Sequence, residues 1–331
     1  MSSAEEGYSG LLPLDKPAGV TSHDAVLEVR KRLASPGAGH LGTLDPPASG
    51  LLLVALGAAT RAIPVWSKTD KTYEGRIRFG VTTRTQDLAG EVQGTGDVSG
   101  LDEAGIRAAT TPFLGSIQQV PPMVSALKLR GTPLHRLARR GLVVERAARE
   151  VEVHSWEWLS FSLPDAQFRL RCSAGTYVRT LAHDLGQALG PGAALAALRR
   201  TRIGTWRVED AITLAELEQS PPRELLARAG VPLDLALEAL PAVRLDEAAA
   251  ALIGAGRRPV VMRGQAPLAG GPRSVAMRSM DGRVLALGEL QGHVDPRLAV
   301  ACPRVVFPWA VRAGGRSDVP PGAALAVPPG E

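Results

Sequence analysis

The chain has 331 residues, with 38 Lys and Arg against 33 Asp and Glu, two cysteines and an ordinary 45% of hydrophobic residues. This length predicts two domains, and the apolar content excludes a disordered chain. The small basic excess favours a polyanionic partner without establishing one. Cys172 and Cys302 lie far apart and show no metal-ligand spacing, which excludes a disulfide scaffold and fits a reducing compartment. The first residues, Met1 to Gly7, have neither the basic start nor the apolar core of a signal peptide. No apolar run reaches the length of a membrane span. The expectation is a soluble, cytoplasmic protein with no membrane association.

In chain order, Leu11 to Leu14 reads as a strand ended by the turn Lys16-Pro17-Ala18-Gly19. Thr21 or Ser22 can cap a helix through Arg32, with Val26, Val29 and Leu33 on one face. Leu51 to Leu56 is a buried strand or a buried helix turn, and periodicity does not decide. Thr72 to Val81 alternates Tyr73, Ile77 and Phe79 with Glu74, Arg76 and Arg78, the pattern of a half-exposed strand. Leu101 to Leu114 reads as a helix. Gln118 to Gly141 begins with paired prolines and ends basic, a projecting loop followed by a short helix. Strands are expected over Arg149–Leu159 and Gln167–Ser173, a helix over Tyr177–Leu189, and a second helical stretch over Ala193–Arg200. Beyond Leu240, four short segments (Pro259–Met262, Ser274–Arg278, Val284–Leu290, Arg304–Phe307) alternate with Gly-rich turns, which suggests a small β-barrel. The Gly/Pro/Ala-rich end has little to bury and is expected to be disordered.

One run carries most of the chemistry. Gly39-His40-Leu41-Gly42-Thr43-Leu44-Asp45-Pro46-Pro47-Ala48-Ser49-Gly50 sets a single carboxylate in a loop of Gly, Pro and small polar residues, before the apolar run Leu51 to Leu56. Such a loop has a restricted backbone path and can display a reactive side chain against a rigid element. The plainer alternative is a turn in which Asp45 bonds nearby amides. Basic residues concentrate in one segment: Lys128, Arg130, Arg136, Arg139, Arg140, Arg146 and Arg149 against Glu145 and Glu150. Arg199, Arg200 and Arg202 form a second cluster. Either group could meet phosphates or be a solvated helix face.

The Asp45 run resembles the catalytic motif of the TruB-type tRNA pseudouridine synthases. Four further runs match in family order. They are Leu11 to Gly19, Lys71-Thr72-Tyr73, Val120 to Lys128, and Cys172 to Leu181 with Thr176-Tyr177-Val178-Arg179 inside it. The resemblance covers residues 10 to 210 strongly and 240 to 312 more weakly. It implies an α/β (α+β) fold: a mixed, largely antiparallel sheet flanked by helices, with a central catalytic cleft. It implies a catalytic domain over 1–238 with an RNA-gripping insertion at about 118–148, a PUA β-barrel over 239–312, and a disordered tail over 313–331.

The resemblance makes Asp45 the essential residue, paired with Arg179, and places Tyr73 and Tyr177 in the pocket with Leu198 as its apolar wall. Tyr73 would stack on the flipped uracil and help remove its C5 proton. His40 would fill the space that the flipped base vacates, and Asp87 would lie near the RNA. Lys128, Arg136, Arg139 and Arg140 would grip RNA phosphates, while Lys16 and Pro17 would support the catalytic loop. Val124 and His135 stand where many relatives carry Tyr. The implied substrate is tRNA, at uridine 55 of the TΨC stem-loop, for a monomer with no cofactor, no metal and no obligate protein partner. Two rivals are a synthase working inside a ribonucleoprotein on other RNA, and a non-catalytic tRNA-binding or RNA-chaperone protein. The absence of long Lys-rich tails speaks against the first, and retention of Asp45, Tyr73, Tyr177 and Arg179 together against the second. Zinc is excluded by the scattered histidines, and a glycosidase by the lack of a second carboxylate in the loop.

Overall fold

The computed structural model describes residues 8–125, 127–129, 131–142, 144–264, 266–268 and 274–314. The chain divides into two compact units. The first holds residues 11–57 and 63–230; the second begins at Val231, ahead of the expected 239, and also takes in Tyr8–Gly10 and Ala58–Ala62.

The first unit is built on one mixed sheet. Its main strands are β1 (Gly10–Lys16), β2 (Ala38–His40), β3 (Ser49–Leu56), β4 (Lys71–Phe79), β5 (Gly115–Gln119), β6 (Arg149–Ser162), β7 (Asp165–Cys172) and β8 (Ala193–Ile203). They lie in the order β1-β3-β8-β4-β7-β6-β5, with β2 paired to β3. The β8–β4, β4–β7, β7–β6 and β6–β5 pairs are antiparallel, whereas β8 and β3 run parallel. The run Leu51 to Leu56 is therefore a strand, with every side chain at most 1% exposed, as a strand covered on both faces requires.

The expected helical stretch over Ala193–Arg200 is instead strand β8. Its Ala/Leu composition favours a helix. Pairing on both edges, to β4 and to β3, overrides that preference. The consequence is large, because β8 carries Leu198, Arg199 and Arg200 into the middle of the sheet.

Helix α1 (Ser22–Arg32) starts as expected: the Thr21 side chain accepts from Asp24 N, and Ala25, Val26 and Val29 are buried. Helix α2 (Glu103–Thr110) is capped by Asp102 and ends in a tight turn over Thr111–Phe113. Helix α3 (Val178–Leu189) begins right after Tyr177 and buries Arg179, Leu181 and Leu185. Beneath the sheet, Trp156, Trp158, Phe161 and Phe168 pack as an aromatic cluster.

Where β3 meets β8, Gly50 lies opposite Arg200. Gly50 has φ +104°, and a Cβ there would sit 2.3 Å from the Arg200 carbonyl oxygen. Gly50→Ala combines left-handed strain with a backbone overlap, each worth about 1–3 kcal/mol. The expected result is a drop of roughly 3 kcal/mol or more in urea-unfolding free energy, outside the sub-1 kcal/mol range of an unconstrained Gly→Ala change.

The second unit holds a five-stranded sheet formed by β9 (Ala242–Leu245), β10 (Val260–Met262), β11 (Val275–Ser279), β12 (Val284–Gly292) and β13 (Leu298–Val306). Their order is β9-β11-β12-β13-β10, and the edge strands β9 and β10 approach each other, so the sheet curls nearly closed. Helix α4 (Glu247–Gly254) and helix α5 (Pro308–Gly314) pack on it. The expected tail starts inside α5, and residues 315–331 lie outside the described residues. Both cysteines are free and buried. Among the described residues, no helix is long and apolar enough to cross a membrane.

Candidate active site

The loop between β2 and β3 is held from several sides. Leu41 N donates to Leu53 O at 3.0 Å, and Ala48 N closes a turn on Asp45 O at 3.0 Å. Ser22 Oγ donates to Leu44 O at 3.0 Å and accepts from Leu44 N at 2.9 Å, which fastens the loop to the start of α1. The Lys16-Pro17 turn adds a further tie, with Gly19 N donating to Pro46 O at 2.8 Å. Lys16 is fully buried, and its Nζ donates to Pro17 O at 2.8 Å and Val20 O at 2.7 Å. Lys16 thus braces the turn that braces the loop. Burial, with Arg200 nearby, lowers its pKa to about 8.

Asp45 emerges between two cavities. The smaller, about 240 Å³, is lined by Asp45, Lys71, Tyr73, Tyr177, Arg179, Leu198 and Arg200 among others. That volume equals roughly eight water molecules, a size suited to one pyrimidine ring. The larger groove, about 870 Å³, runs past the other side of Asp45 along His23, His40, Arg84, Gln86, Met123 and Val124. The cavities share Thr43, Leu44, Asp45 and Ser125.

Arg179 grips the carboxylate as a fork: Nε lies 2.9 Å from Asp45 Oδ2, and Nη2 lies 3.3 Å from Oδ1. The Nε approach is an ion pair without good hydrogen-bond alignment. The same guanidinium donates to Thr85 O at 3.1 Å and Val124 O at 2.7 Å, which fixes its plane. The Asp45 side chain keeps 40% of its surface, but that surface faces confined cavities. Burial raises its pKa, Arg179 opposes the rise, and Asp87 adds to it. A carboxylate paired with a guanidinium yet held away from bulk water suits a nucleophile or base.

Tyr73 lies on the strand expected to carry it, and Tyr177 is the cap before the expected helix, which starts one residue later. Tyr73, on β4, is 7% exposed, and burial raises its pKa. Tyr177 precedes α3, and Gln119 fixes its backbone. Tyr177 N donates to Gln119 Oε1 at 2.8 Å, and Gln119 Nε2 donates to Tyr177 O at 3.1 Å. The Tyr177 hydroxyl lies beside Ser125, and both residues line the smaller cavity. His40 sits in the larger groove, where burial and then Arg200 and His23 lower its pKa, so its imidazole is neutral. Asp87 is 8% exposed, and its Oδ1 accepts from Thr85 Oγ1 at 2.7 Å and Ala89 N at 3.1 Å. It shapes the turn that offers Thr85 O to Arg179 and acts on Asp45 through its charge.

The Arg199–Arg202 cluster is not a basic surface. Arg199 pairs with Asp15 at 3.0 and 2.6 Å, and Arg200 is 1% exposed. A strand points neighbouring residues to opposite faces, so the three cannot form one patch. Only Arg202 of the three is exposed. In the expected RNA-gripping segment, Arg136 on a short helix, Leu134–Arg139, and Arg140 just after it are exposed. The side chains of Lys128, His135 and Arg139, and the whole of Arg130, lie outside the described residues. Val124 contributes its carbonyl, so its replacement of Tyr leaves the Arg179 contact intact.

Four residues of the site were missed by sequence reasoning: Lys71, Gln119, Ser125 and Arg200. Lys71 and Ser125 lie inside matching runs that gave them no role, and Arg200 was read only as part of a basic cluster for phosphates or solvent. Lys71 Nζ donates to Ser67 O at 3.1 Å and Thr69 O at 2.6 Å.

A family model described as the TruB family pseudouridylate synthase N-terminal domain matches residues 30–178. A tRNA pseudouridylate synthase B C-terminal domain model matches residues 179–238. A tRNA pseudouridine synthase B of Burkholderia mallei (strain NCTC 10247) is 48% identical over 255 residues, covering 77% of this chain and 84% of the relative. One of Aromatoleum aromaticum is 44% identical over 286 residues, covering 86% of this chain and 89% of the relative. Among solved structures, a crystal structure of a Cbf5-Nop10-Gar1 complex contains a chain 29% identical, with TM-score 0.70, covering 93% of this chain and 88% of that one. An H/ACA RNP bound to a substrate RNA containing 2′-deoxyuridine is similar at TM-score 0.69 and 27% identity, covering 93% of this chain and 88% of that one. With an Asp–Arg pair between two cavities, both family models and relatives near half identity, the chain belongs to the TruB family of pseudouridylate synthases.

Proposed function

We propose that this protein converts uridine to pseudouridine in tRNA, at uridine 55 of the TΨC loop, acting in the cytoplasm as a monomer. The observation that carries the reading is Asp45, gripped by Arg179 at the junction of a ring-sized cavity and a larger groove. The reaction breaks the C1′–N1 bond, turns the uracil and rejoins it through C5. Asp45 would act at the sugar as nucleophile or base. A stacked base must first leave the helix to reach it. In this reading the smaller cavity receives the flipped ring between Tyr73 and Leu198, and the groove past His40 receives the loop it came from. The names of the bacterial relatives support tRNA as the substrate. The curled sheet of the second unit is read as a PUA-type RNA-binding domain, and residues near 118–148 as the RNA grip.

The test is to incubate the purified protein with an unmodified tRNA transcript and map pseudouridine by site. A single new pseudouridine at position 55 is expected. Modification elsewhere, or none, overturns the assignment.

The grip has its own test. Replacing Arg136, Arg139 and Arg140 with Ala is expected to weaken tRNA binding and flatten its salt dependence. Each phosphate that goes without its cation lowers the slope of log affinity against log salt by about 0.7–0.9. Single-turnover chemistry at saturating enzyme should change little. An unchanged slope in filter binding would shift the grip to the second unit.

A further inference from the structure

Arg200 is buried in the centre of the sheet, 1% exposed. Arg179 and Arg199 on either side of the site pair with Asp45 and Asp15. Among the described residues, no such ion pair is formed by Arg200. Its Nε donates to Leu51 O at 2.8 Å, and its Nη2 donates to Gly42 O at 3.0 Å. Its guanidinium neighbours the Tyr73 hydroxyl, and both side chains line the smaller cavity. The strand register creates this placement, because Arg200 lies opposite Tyr73 on one side and Gly50 on the other. Lys71, a second buried cation, has its Cε beside Gly42, as does Arg200 Nη1.

Two neighbouring buried cations are a poor solution for stability alone. Desolvating an ion costs several kcal/mol, and a well-packed apolar side chain in its place is commonly neutral or better. The Lys71 pKa is accordingly lowered to about 8, by burial first and by Arg200 second. A guanidinium offers something an apolar residue does not: several donors in one rigid plane. Here those donors tie the loop that carries Asp45 to strand β3 behind it, and the same plane lies beside the ring that lines the cavity.

We propose that Arg200 is a positioning residue of this site, holding the Tyr73 hydroxyl at the cavity and tying the Asp45 loop to the sheet, so that ring and carboxylate keep one fixed relation. This rests on the reading of the cavity as the seat of the target uracil. Arg200 touches Gly42, Leu51 and Tyr73, and acts on the reaction through them. A displacement of about 1 Å at a reacting centre can cost on the order of 10²-fold in rate.

The full chain contains three tyrosines, Tyr8, Tyr73 and Tyr177, so uniform 3-fluorotyrosine labelling gives one ¹⁹F resonance for each. Tyr73→Phe assigns the Tyr73 signal. Arg200→Lys retains the charge on a single nitrogen but loses the planar fork; Arg200→Gln removes the charge as well. In Arg200→Lys the Tyr73 resonance is expected to move while that of Tyr8 stays. Single-turnover pseudouridine formation should fall by about 10-fold or more, with tRNA affinity within about twofold. In the Tyr73→Phe background the same change should cost less than about threefold, the non-additivity of residues acting through one contact. Arg200→Gln should show a larger Tyr73 shift if it folds, and Arg200→Lys decides the matter if it does not. An unmoved Tyr73 resonance, or rate effects that simply multiply, would overturn the proposal. A wild-type protein that makes no pseudouridine in tRNA would overturn the proposed function instead, and the Tyr73 resonance would still decide whether Arg200 positions the ring.

Discussion

Asp45→Asn is expected to lower single-turnover pseudouridine formation by about 10³-fold or more, since nucleophilic and proton-transfer roles are each worth roughly 10²–10⁴. The amide keeps the shape and can still accept from Arg179, so the loop tied down by Leu41, Ser22 and Gly19 should stay in place. Binding should change little, because phosphate contacts spread over the surface supply most affinity for nucleic acid. The Arg179 side chain is only 4% exposed, and losing its anionic partner leaves a buried charge. Thr85 O and Val124 O still receive it, so a modest loss of thermal stability, not unfolding, is expected. The measurement is pseudouridine formed per tRNA at saturating enzyme, beside filter binding and a melting curve. A variant that binds and still turns over at a normal rate would remove Asp45 from the chemistry.

How much of this site could be read from the residues follows from what each contact is made of. Asp45 stood out because Gly and Pro surround it and fix a backbone path. Tyr73 and Tyr177 stood out because tyrosines are scarce here and two fall inside matching runs. The strands β4, β6 and β7 showed through their alternation. Strand β8 did not, because Ala193 to Leu198 carries no period of two, and its identity as a strand comes from partners far away in sequence. That one error concealed Arg200. On a helix it joins Arg199 and Arg202 in a basic face; on a strand it turns inward to Gly42, Leu51 and Tyr73. Gln119 was hidden for a related reason, since its amide pairs with the backbone of Tyr177, which no side-chain pattern announces. The start of the second unit at Val231 was likewise obscure, because Tyr8–Gly10 and Ala58–Ala62, far earlier in the sequence, belong with it.

Removing Arg179 should change the titration of Asp45 and not only its reactivity. Burial pushes the Asp45 pKa up, and Arg179 is the largest influence holding it down, ahead of Lys16. An opposite charge close to a carboxylate lowers its pKa, so Arg179→Met should let the Asp45 pKa rise further. The acid limb of the pH–rate profile, set by the ionised carboxylate, moves to higher pH in the variant. Stability follows a definite sign. Between the ordinary value of 3.8 and the raised value, the folded protein holds a proton that the unfolded chain has released. Stability from this group therefore falls as pH rises through that window, and the window widens in Arg179→Met. Arg179→Lys, which keeps a charge without the fork, should lie between the two. Residual activity in the Met variant is expected to be low, so the titration is best followed directly, by ¹³C NMR of carboxyl-labelled aspartate with the Asp45→Asn spectrum as the assignment. An Asp45 resonance that titrates at the same pH with and without Arg179 would mean that the pair in the structure does not govern the carboxylate, and the placement of Arg179 as its electrostatic partner would fall.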